Sequence, residues 1–227
     1  MSVFHPRVLP PVVVVMLVGL AACAGPSRER VPAAKVAPRA CCEAGPMAPW
    51  RASVVRTAVG LVGERTIESE GRRITYDCAG VTRAIFLAQG VDLYQSTLVT
   101  SQANGVRLIH RHVRQFGRLH RGPAVSPGDL VFFDNTWDAN GDGTLNDPLT
   151  HVGVVEAVEP DGTVRFISRV AGAIERYRMN LAEPHRHRAE DGRVLNDYLR
   201  RKRGRDGEGT PYLAAELFAG FGVPHGR

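Results

Sequence analysis

The sequence predicts an α+β fold in which N-terminal helices pack on an antiparallel β-sheet, and three stretches carry that prediction. HVGVVEAV (151–158) alternates β-branched residues in the manner of a strand, Pro160-Asp161-Gly162 marks a turn, and TVRFIS (163–168) returns as its partner. SPGD (126–129) is a turn signal that opens the apolar run LVFFD (130–134). After Cys78, the residues Val81, Ala84, Ile85 and Ala88 recur at the spacing of one helix face.

The remaining elements follow in chain order. Arg7 precedes an apolar run over 8–20 that is too short for a comfortable membrane span, so residues 1–22 read as an export signal. Residues 23–49 are rich in Pro, Ala and charge without an apolar period, which predicts a tether. Cys41 and Cys42 lie inside it. Adjacent cysteines pair with each other only through a strained ring, so interchain or mixed disulfides suit them better in an oxidising compartment. From there on, residues 50–227 are enough for a single core. Residues 50–61 read as a helix between Pro49 and Gly60 to Gly63, and 64–75 as a polar loop. Asp77 is placed to N-cap the helix at Cys78, and Gly90 to stop it. A short helix or irregular cover is expected within 95–117, and a further strand near 177–181. Leu213, Leu217 and Phe218 predict a terminal helix over 210–221.

Two residues carry the candidate chemistry. A cysteine in the first turn of a helix has free backbone N–H groups pointing at it, which favour its thiolate and supply an oxyanion hole. Cys78 occupies that position; read alone, it is better taken as an inert core cysteine. His151 opens the strand, where an imidazole reaches a thiol on a facing helix; read alone, it is a surface histidine that begins a strand.

Metal sites are less marked. The H-x-H pairs His110/His112 and His185/His187 lie among arginines and read as solvated basic surface rather than as zinc sites. DANGDGTLND (138–147) repeats the front half of an EF-hand loop: Asp138, Asn140 and Asp142 alternate, Gly143 follows, and Asn146 or Asp147 completes the set. The bidentate Glu of the twelfth place is missing; Leu149 stands there. Structural calcium and a plain exposed turn therefore weigh equally. The net charge is +6, and arginine makes up all but Lys35 and Lys202 of the 29 basic residues. That balance suits an acidic polymer. For an exported chain, nucleic acid is excluded as partner, and RRKRGR (200–205) reads as a solvated charge run.

YDCAG (76–80), SPGDLVFF (126–133) and THVGVVEAVEPDGTVRFIS (150–168), in this order, resemble the papain-like cell-wall hydrolases of bacteria, the NlpC-type peptidases and CHAP amidases. The resemblance covers roughly residues 50–180. It implies the papain-like fold and an enzyme that cleaves an amide bond of peptidoglycan, with Cys78 as nucleophile and His151 as base, and no cofactor. The residue that orients the imidazole corresponds to Ser168, where the family carries His, Asn, Gln or an acid; a weakened or inactive wall-binding protein is the alternative this departure leaves. Asp77 corresponds to the aspartate that receives the free amine of the stem peptide, and Tyr76 lines the same approach. Ala79 replaces the family's usual serine. LAAC (20–23) is similar to the bacterial lipobox, which implies lipidation of Cys23 and anchoring in the cell envelope. Ala24 points to the outer membrane.

Overall fold

The computed structural model describes residues 47–69, 71–95, 104–204 and 206–225. The expected export signal, Cys23, Cys41, Cys42 and most of the expected tether lie outside the described residues, as does 96–103 of the expected cleft cover. The elements are α1 (Pro49–Gly60), β1 (Glu68–Ser69), β2 (Arg72–Arg73), α2 (Cys78–Leu87), α3 (Gly105–Phe116), β3 (Arg118–His120), β4 (Leu130–Phe133), β5 (His151–Val158), β6 (Val164–Val170), β7 (Ala173–Met179) and β8 (Phe218–Val223). Six strands form one antiparallel sheet in the order β3-β8-β4-β5-β6-β7. The α+β expectation is met. The polar loop at 64–75 contains the small β1–β2 hairpin.

Local chemistry explains the helices. Pro49 starts α1, where its missing N–H costs nothing. Asp77 is extended and its Oδ1 accepts from Gly80 N at 2.6 Å, the N-cap read from the sequence. At the other end Gly90 has φ +76°, and the Val91 N–H closes on the Phe86 carbonyl. In α3, Asn104 accepts from Arg107 N at 2.8 Å, and Val106, Ile109 and Val113 are buried on one face.

The sheet is covered on both faces. Val54, Ile85, Phe86, Ile109, Phe132, Val152, Val154 and Ile167 belong to the core on the helical face. Val131, Phe133, Val155, Phe166 and Met179 meet Leu199, Ala214 and Leu217 of the C-terminal segment on the other. Each fully buried phenylalanine contributes about 1.5–3 kcal/mol by leaving water. Buried Asn196 organises that segment: its amide donates to the Glu183 and Arg186 carbonyls and its oxygen accepts from Asn180 N.

Two expectations are corrected here. The terminal helix over 210–221 does not form; Leu213 makes an isolated antiparallel bridge with Tyr198, Leu217 lies in a turn, and Phe218–Val223 is the strand β8 between β3 and β4. The apolar spacing suited a helix, but Gly220 and Gly222 suit close strand packing. A Cβ on Gly222 would stand 2.9 Å from the Phe132 ring and 3.1 Å from Val113. The histidine pairs are not uniformly solvated either. His112 is buried, with Nδ1 2.6 Å from the Gln95 carbonyl, and His110 packs edge-on against Phe132 with its pKa lowered, chiefly by burial.

Candidate active site

The structure places Cys78 and His151 on the walls of one cleft of about 750 Å³. Cys78 arrives on the first turn of α2. Gly80 is obligatory there, since any Cβ would collide with the Thr75 carbonyl oxygen. Ala79 is buried, and a Cβ on Gly105 would lie 2.6 Å from its side chain, so this position serves helix packing. The backbone N–H of Val152, next to His151, reaches the Cys78 sulfur and stabilises its anion.

The chain leading into His151 is held by two bonds. Leu149, two residues before it, has φ +55°, a conformation costly for a branched residue and sustained by its N–H bond to Asp134 Oδ1 at 2.7 Å. Thr150 Oγ1 accepts from Thr136 N at 2.9 Å. The PGD turn supports the next strand along: Asp129 is buried, accepts from Ser126 N at 2.8 Å and pairs with Arg51 of α1 at 2.7 Å.

Ser168 lies beside the His151 imidazole. Its Oγ is 2.9 Å from His151 Nε2 and 2.6 Å from the Val152 carbonyl oxygen. A carbonyl can only accept, so the one hydroxyl proton of Ser168 goes to Val152. The hydrogen-bond network thereby assigns the Nε2–H tautomer, with Nε2 donating to Ser168 and Nδ1 left as a base. Gly153 leaves room for this contact: a Cβ there would stand 2.7 Å from Phe166 and 3.3 Å from Ser168 Cβ.

The electrostatics correct one expectation. A helix N-terminus was expected to favour the thiolate, but burial dominates and raises the Cys78 thiol to about 11, against the opposing Val152 N–H. Burial, then the positive charge of Arg169, lowers His151 to about 4. At neutral pH the pair rests as thiol and neutral imidazole.

The other expected site residues separate. Asp77 lines the cleft. Tyr76 is not among the cleft-lining residues; its hydroxyl donates to the Glu64 carbonyl at 2.6 Å and its ring carries the Arg169 guanidinium at 5.0 Å. In the acidic loop, buried Asp138 accepts from Gly141 N and Gly143 N, and buried Asp147 accepts from Ala139 N. Asp142 accepts from Thr144 N and bonds to Asn140 and Asn146 on the exposed side. Among the described residues no group of three or more His, Cys, Asp or Glu side chains is arranged as a metal site.

Sequence reasoning missed several cleft residues. Arg169, Arg200, Trp137 and Tyr198 all line it. Arg169 was readable as the neighbour of Ser168, whereas Arg200 was hidden in the charge run. Far from solvated, Arg200 is buried, bonding to the Asn135 carbonyl and pairing with Asp206. Compared with protein-family models and with curated proteins, the chain matches none.

Proposed function

We propose that this chain is a cysteine hydrolase of the papain-like NlpC/CHAP type that cleaves an amide bond of peptidoglycan, as a stem-peptide endopeptidase or amidase. It is held on the periplasmic face of a bacterial membrane, the outer one, through lipid on Cys23. The observation that carries the reading is the contact of Ser168 Oγ with His151 Nε2, which leaves Nδ1 as the base in a cleft shared with Cys78.

In this reading the thiol proton of Cys78 passes to His151 Nδ1 as sulfur attacks the amide carbonyl. The Cys78 backbone N–H, in the first helical turn, turns from the sulfur to the developing oxyanion. His151 then gives its proton to the leaving amine, and water hydrolyses the thioester by the same steps. Asp77, with one oxygen spent on Gly80, offers the other to a substrate amine. No cofactor takes part. A calcium ion in the 138–147 loop would act by stiffening the approach to His151, and calorimetry with millimolar calcium tests that.

A second reading, a wall-binding lipoprotein of the same fold with weakened catalysis, is favoured by the neutral resting pair. Purified peptidoglycan separates the two. The hydrolase releases soluble fragments with new amine termini, and Cys78→Ala releases none; the binding protein co-sediments and releases nothing. For the anchor, Cys23→Ala should lose both the acyl mass and membrane partitioning, and a wild type without acyl mass contradicts it.

A further inference from the structure

The cleft has an arginine side that the hydrolytic reading leaves unused. Arg169, Arg200, Arg201 and Arg203 line it, and Asp77 is the one acidic residue among the described lining residues. Arg169 follows Ser168 on β6 and its charge reaches His151. Among the described residues no carboxylate pairs with Arg169, and its Nε–H is buried without a hydrogen-bond partner. The Arg200 side chain is 6% exposed. Its two terminal nitrogens are bonded, to the Asn135 carbonyl and Asp206, yet its Nε–H is also buried and unpartnered. Arg201 and Arg203 are exposed at the rim, and their side chains pair with no carboxylate among the described residues. Buried N–H groups are nearly always satisfied, and two orphans on one cleft wall mark acceptors still to come.

We propose that the arginine side of the cleft is a carboxylate receptor: the substrate is an acidic peptide whose free carboxylate, next to the scissile amide, is received by Arg169, with a further carboxylate held by Arg200 and the rim arginines. The inference rests on the Cys78–His151 reading of the cleft. Guanidinium suits the task because its planar N–H groups match a carboxylate's two oxygens, and the low exposure of the site strengthens the pairing. The receptor also bears on catalysis. Arg169 opposes protonation of His151; a carboxylate on Arg169 offsets that charge as the Cys78 proton arrives on Nδ1. The acidic substrate thus relieves the second cause, after burial, of the low His151 pKa. Arg169 acts here as a specificity-determining and positioning residue.

The test uses the full chain and two versions of one stem tetrapeptide, with its carboxylates free or amidated. Wild type should cleave the free acid with kcat/KM about ten-fold or more above the amide, the scale of one well-placed charged contact. Arg169→Gln should erase that preference and Arg169→Lys restore part of it. Calorimetry on Cys78→Ala should show the same order of binding, and exposed Arg203→Gln should weaken binding of the free acid alone. Equal cleavage of both peptides by the wild type overturns the receptor and leaves the hydrolase standing. Preference retained in Arg169→Gln also overturns it. Selective binding of the acid by Cys78→Ala with no cleavage by the wild type supports the receptor and removes the hydrolase.

Discussion

Two regions of this molecule hold an ionisable group against backbone N–H donors, with opposite results. In the acidic loop the Asp142 carboxyl is lowered to about 2, first by the Thr144 N–H and then by the Asn146 amide, on the open surface. At the head of α2 the Cys78 thiol is also met by N–H groups, those of Val152, Ala79 and Cys78 itself, yet it is raised to about 11. Donors are present in both places; burial decides. Exposed, a carboxylate keeps its hydration and gains the donors; a thiolate at Cys78, half-buried against the core, loses more hydration than three N–H groups return. A motif reveals which donors surround a group, but not how dry its surroundings are. In the proposed hydrolase the thiol would therefore be activated during the reaction, by transfer to His151, and not before it.

The sharpest way to break this comparison is to disturb the hydrogen bond that leaves His151 Nδ1 free to act as the proposed base. Ser168→Ala leaves both the Val152 carbonyl and His151 Nε2–H without their partner in a fully buried setting. Peptidoglycan turnover should fall by about 10²-fold or more, the range of positioned acid–base groups. Stability should drop by about 1–3 kcal/mol in a urea titration. Ser168→Thr keeps the hydroxyl and should retain most activity. Wild-type turnover in Ser168→Ala would place the orienting group elsewhere.

A second test reads the thiol directly. With Cys78 near 11, alkylation by iodoacetamide in the absence of substrate should be slower at pH 7 than for a free thiol, rising with pH toward about 11. Fast, pH-independent alkylation near neutrality would mean a resting thiolate. The imidazole has its own signature. Its folded pKa, about 4, lies below the ordinary value of 6.5, so the unfolded chain binds the extra proton between them. Stability contributed by His151 is present above pH 6.5 and declines as pH falls toward 4. His151→Gln should flatten this part of the urea-midpoint profile, and an unchanged slope would assign it to other groups.

The smallest effect belongs to the open side of the comparison. Asp142→Asn keeps the loop's size while weakening its bonds to Thr144, Asn140 and Asn146. Because these groups are solvated, the thermal midpoint should shift by no more than the small change expected of a surface substitution. A large loss would show that the loop braces β5 more firmly than its exposure suggests.

What the sequence revealed follows the same division. The β5–β6 hairpin was legible because its alternation and its Pro-Asp-Gly turn are local, and α2 because Asp77 caps it and its apolar spacing is regular. Strand β8 was not, because Leu213, Leu217 and Phe218 imitate a helix face while the pairing with β3 and β4 is set by distant chain. Strand β3 was hidden by its three-residue length and by Arg118 and His120. In the site, Cys78, His151 and Ser168 were legible as motif positions. Their protonation was not, since it depends on burial that only the assembled layers create. Arg200 was misread for a related reason: a basic run looks solvated until Asn135 and Asp206 are found beside one of its members.

The central claim, that Cys78 carries the acyl group while His151 and Ser168 manage the proton, is tested most directly by catching the thioester. Full-length protein is mixed with stem peptide, quenched in acid during turnover, and digested for mass spectrometry. The account predicts that the peptide containing Cys78 gains the mass of the substrate's acyl half, and that the adduct is absent from Cys78→Ala. Peptidoglycan cleavage that proceeds undiminished in Cys78→Ala, with no adduct on the wild type, would contradict it.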